Sequence, residues 1–108
     1  MEDIEKKQQI AMQIILNAGD ARNFAMQALD QVAEHDFAQA ESLLKQAKEK
    51  ITLAHNAQTD EIQAEAAGET AIYSLLFNHA QDTLMTVISE INLTEKMIKI
   101  VSSLVSKN

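Results

Sequence analysis

The stretch that decides the fold is residues 84–105, LMTVISEINLTEKMIKIVSSLV. One stripe in it recurs in steps of three and four residues and contains Leu84, Val87, Ile91, Thr94, Ile98, Val101 and Val105. That spacing matches one face of an α-helix with 3.6 residues per turn. The stretch therefore predicts a long amphipathic helix whose stripe packs against partner helices in a bundle.

The same rhythm occurs twice earlier in the chain. A first stripe contains Ala11, Ile14, Ala18, Ala21, Ala25, Ala28 and Val32, and a second contains Ala40, Leu44, Ala47, Ile51 and Ala54. Asp36 followed by Gln39 is typical of a helix N-cap, and Gly68 is typical of the residue after a helix end. We therefore predict helices at about 4–33, 37–66 and 70–106. Short connections make the predicted fold all-α, an antiparallel three-helix bundle that forms a single domain over residues 1–108.

The composition narrows the class of protein. The chain has no proline, two glycines and no cysteine, which favours uninterrupted helices and excludes a thiol nucleophile or a disulfide. Its net charge of −7 repels a phosphate backbone and argues against a nucleic-acid partner. The charged first residues predict no secretory signal, and no apolar run approaches the roughly 18 residues that cross a bilayer. We therefore expect a cytoplasmic protein without direct membrane insertion.

Apolar residues outside the three stripes are numerous. They include Ile10, Ile15, Leu16, Phe24, Met26, Leu29, Leu43, Leu75, Phe77, Met85 and Ile88. Three slender helices enclose little volume, so a single copy leaves part of this apolar surface in contact with water. The pattern predicts a homo-oligomer and does not give its stoichiometry.

A second stripe on the third predicted helix carries polar residues. It contains Leu75, His79, Asp82, Thr86, Ser89 and Leu93. This spacing places His79 and Asp82 on one face, about one turn apart. Spacing alone leaves three interpretations of this pair. His79 is a structural histidine satisfied by the carboxylate, or the two residues belong to a metal site shared across an oligomer axis, or His79 is a nucleophile. His55 has no acid one turn away and His35 falls in a predicted loop, so structural or surface roles are expected for both.

Four motifs in matching order resemble a known family. They are Ile14-Ile-Leu-Asn-Ala-Gly-Asp-Ala-Arg22, His35-Asp-Phe-Ala38, Ala54-His-Asn-Ala-Gln-Thr59 and His79-Ala-Gln-Asp-Thr-Leu-Met-Thr86. They resemble the lactose/cellobiose-type IIA proteins of the bacterial sugar phosphotransferase system, over roughly residues 10–104. The resemblance implies a homotrimer of three-helix subunits, which is a nine-helix bundle.

The resemblance also implies the roles of individual residues. His79 is expected to be the phosphorylated nucleophile, and Gln81 a polar residue near the active site. Asp82 is expected to be a metal-linked carboxylate at the trimer axis, with a divalent cation, Mg²⁺, as the cofactor. Many members of the family have a second histidine where this chain has Thr83, so an auxiliary role of that imidazole is not carried over.

The function implied by the resemblance is that of a phosphocarrier. His79 is expected to accept a phosphoryl group from HPr, the general carrier protein, and to pass it to a cysteine of the IIB component. The expected process is uptake of a β-linked disaccharide such as lactose, cellobiose or chitobiose. Without the resemblance, two other classes fit the helical pattern. One is a non-enzymatic oligomerisation or scaffold protein, and the other is a divalent-metal-binding bundle built from His79 and Asp82 across subunits.

Overall fold

The computed structural model describes residues 2–68 and 73–106, and their backbone forms three long helices. Helix α1 spans Glu2–Ala33, α2 spans Phe37–Ala66 and α3 spans Leu75–Ser106. No strand occurs within these two described ranges, which confirms the all-α prediction. The beginning of α1 and the beginning of α3 meet the end of α2 in one core cluster, so α2 is antiparallel to both of its neighbours. The bundle is about 60 Å long and 20 Å wide.

The turn between α1 and α2 confirms the predicted start of the second helix. The backbone N–H of Gln39 donates a hydrogen bond to Asp36 Oδ1 at 3.0 Å, so Asp36 caps α2. His35 adopts a positive φ of 61°, and its ring stacks on Phe37 with 6.2 Å between ring centroids. The turn thus reverses the chain through one left-handed residue that is not glycine.

The start of the third helix differs from the prediction. Residues 73 and 74 are not helical and α3 begins at Leu75, whereas a start at residue 70 was predicted; residues 69–72 lie outside the described ranges. The physical reason is a cap at Ser74, whose Oγ accepts a hydrogen bond from the Phe77 N–H at 3.1 Å. Gly68 has a φ of 107° just after α2 ends, as expected of a glycine that closes a helix.

The core follows the predicted stripes closely. Every position of the α1 stripe is buried, and five of its seven residues are alanines that let α2 and α3 approach closely. The α3 stripe is buried from Leu84 to Ile98 and half-buried at Val101. Val105 is exposed, so its prediction as a core residue is wrong. The reason is its position in the last turn of α3, beyond the buried cluster that includes Ile98.

Ion pairs link the outer edges of the helices. Arg22 Nε donates to Glu90 Oε1 at 2.7 Å between α1 and α3, and Lys48 pairs with Glu95 between α2 and α3. The Lys48 ammonium holds the pKa of the Glu95 carboxyl below its usual range. In the described part of the chain, none of the helices is long and apolar enough to cross a membrane.

Candidate active site

The predicted polar stripe lies on the outward face of α3. Phe77, Ala80 and Leu84 point into the bundle, and helical geometry therefore turns the stripe with His79 and Asp82 the other way. All six members are exposed in the single chain; they are Leu75, His79, Asp82, Thr86, Ser89 and Leu93. The prediction that these residues share one face is confirmed, and that face is accessible to a partner.

The side chains of His79 and Asp82 do not satisfy each other. Among the hydrogen bonds and ion pairs of residues 2–68 and 73–106, none involves the His79 imidazole or the Asp82 carboxylate. The Asp82 backbone carbonyl accepts a hydrogen bond from Thr86 Oγ1 at 2.8 Å, a contact within α3 that does not use the carboxylate. The interpretation of His79 as a histidine satisfied by this carboxylate is therefore wrong for the single chain.

Gln81 faces α2 rather than the outward stripe. Its Oε1 accepts a hydrogen bond from Gln58 Nε2 at 3.2 Å, and Gln58 is buried. Residues two apart on a helix do not share a face, so the Gln81 side chain lies away from His79 although the two are near in sequence. Gln58 belongs to the motif at residues 54–59, and that motif is the sequence signal that could have identified it as a site residue. Its contact with Gln81 was not predicted.

A single chain does not form a metal site in the region that the structure describes. No group of three or more His, Cys, Asp or Glu side chains comes together there. Asp82 supplies one carboxylate, which is too few for a divalent cation that prefers about six oxygen ligands. Any cation at Asp82 must therefore draw ligands from further copies of the chain or from water.

The other two histidines lie apart from the stripe. His55 is exposed on α2, and His35 is exposed in the turn between α1 and α2. That turn is at the opposite end of the bundle from the start of α3. Of the three imidazoles, His79 alone lies on the outward face of α3.

The fold and the site together define a helical bundle that presents an accessible imidazole from the second turn of its third helix. Residues 9–102 match the family described as the phosphotransferase system lactose/cellobiose-specific IIA subunit. The chain is 36% identical over 96 residues to a lactose-specific EIIA component of Staphylococcus epidermidis, covering 89% of this chain and 92% of that protein.

Solved structures agree in fold and sequence. The cellobiose-specific enzyme IIA of Bacillus anthracis superposes with a TM-score of 0.88 at 42% identity and 94% coverage of both chains. A chitobiose IIA in complex with HPr, from Escherichia coli, gives a TM-score of 0.79 at 31% identity, with 91% and 95% coverage. The chain therefore belongs to the lactose/cellobiose-specific IIA family of the phosphotransferase system. It is a phosphotransferase component that carries a phosphoryl group.

Proposed function

We propose that His79 is the residue that carries the phosphoryl group, accepting it from HPr and passing it to a cysteine of the IIB component during uptake of a β-linked disaccharide. The observation that supports this assignment is the exposure of His79, with its imidazole unengaged, on an outward helical face. The solved complex of a related chitobiose IIA with HPr supports HPr as the donor.

Phosphoryl transfer between proteins needs a nucleophile that is accessible from one side and fixed in orientation. A neutral imidazole nitrogen of His79 attacks phosphorus, and the nitrogen–phosphorus bond on the HPr histidine breaks as the new one forms. The thiolate of IIB then takes the group in the same way, which regenerates the imidazole. Such transfers depend mainly on in-line positioning of donor and acceptor. A rigid helix that presents His79 outward supplies one half of that geometry.

We further propose that the chain acts as a homotrimer assembled through the outward face of α3 from about Asp82 onward, with His79 at the open edge of the interface. Four large apolar residues on the second half of this helix are exposed in the single chain; they are Leu93, Met97, Ile100 and Leu104. An apolar groove of about 170 Å³ runs beside them between α1 and α3. Burial of this surface against two further copies explains why it is apolar, and gives a nine-helix bundle.

In that trimer, three Asp82 carboxylates lie near the axis. Like charges brought together repel, so they need a proton, hydrogen bonds or a divalent cation such as Mg²⁺. Asp82 is thus proposed to organise the subunit interface rather than to take part in the transfer. An Asp82→Leu protein that keeps both trimerisation and normal phosphotransfer contradicts any required role for the carboxylate or its cation.

The phosphorylation assay tests the assignment of His79. The chain is incubated with Enzyme I, HPr and phosphoenolpyruvate, and acid-labile, alkali-stable phosphate is counted on the wild type, His79→Ala and His55→Ala proteins. We expect label on the wild type and on His55→Ala, because His55 lies on a different helix, and none on His79→Ala. Full labelling of His79→Ala overturns the assignment. A scaffold protein takes up no phosphate in any form.

A further inference from the structure

A buried lysine lies at the end of the bundle that carries the candidate site. Lys7, in the second turn of α1, is only 5% exposed. A buried ammonium group is costly unless it has partners, and Lys7 has three. Its Nζ forms an ion pair with Glu65, lies 3.5 Å from Glu61 Oε1 and lies 4.9 Å from the centroid of the Phe77 ring. Lys7 therefore joins α1 to the last turns of α2 and to the first turn of α3.

Phe77 is the residue that anchors the beginning of α3. Its ring is buried in the core cluster with Ile14 and Leu84, and Lys7 covers the ring as a cation above an aromatic face. Its backbone N–H bonds to the Ser74 cap. Both the side chain and the backbone of Phe77 thus fix the first turn of α3, two residues before His79.

The beginning of α3 needs such an anchor. The first turn of a helix has N–H groups without intrahelical acceptors and opens more readily than the helix centre. The interface between α2 and α3 is the least extensive of the three helix pairs, so α2 alone holds this turn weakly. Lys7 also precedes the segment that matches the family, residues 9–102. Its partners Glu61, Glu65 and Phe77 lie inside that segment.

We propose that Lys7 is a positioning residue for His79. By tying Phe77 to the acid pair Glu61 and Glu65, it keeps the first two turns of α3 formed and holds the imidazole in the orientation that in-line transfer requires. The proposal rests on the proposed role of His79 as the phosphoryl carrier. Because Lys7 is buried, it acts through Phe77 rather than by contact with the partner protein.

Four variants separate positioning from general stability. Lys7→Met removes the charge and keeps the length of the side chain, while Lys7→Arg keeps the cation. The matched control is Lys48→Met, because Lys48 also pairs with a glutamate between helices, but its partner Glu95 lies in the second half of α3 rather than in its first turns. Glu65→Gln weakens the same contact from the α2 side and serves if Lys7→Met does not fold.

The readouts are amide hydrogen exchange in residues 75–83 and 91–98, and single-turnover transfer from phosphorylated HPr. For Lys7→Met we expect exchange in 75–83 to rise about tenfold while 91–98 stays unchanged. We expect the maximal transfer rate to fall on the order of tenfold, with the HPr concentration for half-maximal rate changed less than about twofold. Lys7→Arg restores both properties, Glu65→Gln shows smaller effects in the same direction, and Lys48→Met resembles the wild type.

Two results overturn the proposal. One is exchange in 75–83 that does not rise, or that rises equally along all three helices. The other is a local rise in exchange with an unchanged transfer rate. A failure of the proposed function is distinguishable from these results. The wild type then takes no phosphate label, while the difference in amide hydrogen exchange between Lys7→Met and Lys48→Met persists.

Discussion

Replacing Leu84 with alanine tests whether the core is packed as described. Leu84 is fully buried, at 0% exposure, in the cluster formed with Ile14 and Phe77. Removing three carbon groups at about 0.8 kcal/mol each gives a transfer cost of about 2.4 kcal/mol. The nearby alanines Ala11 and Ala80 have no side-chain atoms beyond Cβ that can fill the space, so a cavity cost is added. We expect the free energy of unfolding to fall by about 3–4.5 kcal/mol.

The assay is urea unfolding followed by helical circular dichroism, with two matched leucine substitutions as controls. Leu53, on α2, is 55% exposed, and Leu93, on the outward face of α3, is 59% exposed. Leu53→Ala is expected to cost about 0.5 kcal/mol or less. Leu93→Ala is expected to cost more than Leu53→Ala and to depend on protein concentration, because the proposed trimer buries Leu93 and unfolding is then coupled to dissociation.

Two outcomes refute this reasoning. A Leu84→Ala protein that loses less than about 1 kcal/mol contradicts the described core, since a leucine enclosed on all sides cannot be truncated so cheaply. Equal costs for Leu93→Ala and Leu53→Ala at every protein concentration contradict assembly through the outward face of α3. The two results are independent, because the first concerns contacts within one chain and the second concerns contacts between chains.

Three further substitutions give smaller effects. Asp36→Ala removes the cap of α2, and we expect it to lower the free energy of unfolding by about 1 kcal/mol, measured as a shift of the urea midpoint. His35→Gly removes the strain of a non-glycine residue at positive φ but loses the stacking on Phe37. We expect the free energy of unfolding, measured by thermal unfolding, to rise by about 0.5–1 kcal/mol. Glu95→Gln removes a carboxylate whose pKa is lowered by Lys48. That carboxylate stabilises the fold above its unfolded-state pKa, and the gain is lost as pH falls through the lower folded-state pKa. The free energy of unfolding, measured with urea, should therefore fall less on acidification in Glu95→Gln than in the wild type. The difference is expected to be less than about 1 kcal/mol because the pair is solvent-accessible.

Much of the fold follows from local sequence chemistry. The bounds of α2 were predictable because Asp36 and Gly68 are strong start and stop signals, and the structure uses both. The beginning of α3 was not, because the glycine at 68 suggested an immediate restart while the cap used is Ser74. Helical periodicity identified the buried stripes correctly but carried no information about where the bundle ends, which is why Val105 was misplaced.

The candidate site was predictable as a face and not as a set of contacts. Periodicity placed His79 and Asp82 on one stripe, and the structure agrees. Whether those side chains bond to each other depends on rotamers and neighbours, which spacing does not specify. The burial of Lys7 and the contact between Gln58 and Gln81 were missed for a similar reason. A single lysine or glutamine in a helical sequence carries little signal, and its partners lie on other helices.

The most direct test of the central claim is a chase of the phosphorylated chain. The protein is labelled through HPr, separated from the donor, digested to locate the label, and in parallel mixed with the IIB component. We predict one phosphoryl group per chain, on the peptide that contains His79, and its loss from the chain with equal gain on a IIB cysteine. Label on another residue, or label at His79 that IIB does not remove, contradicts the account.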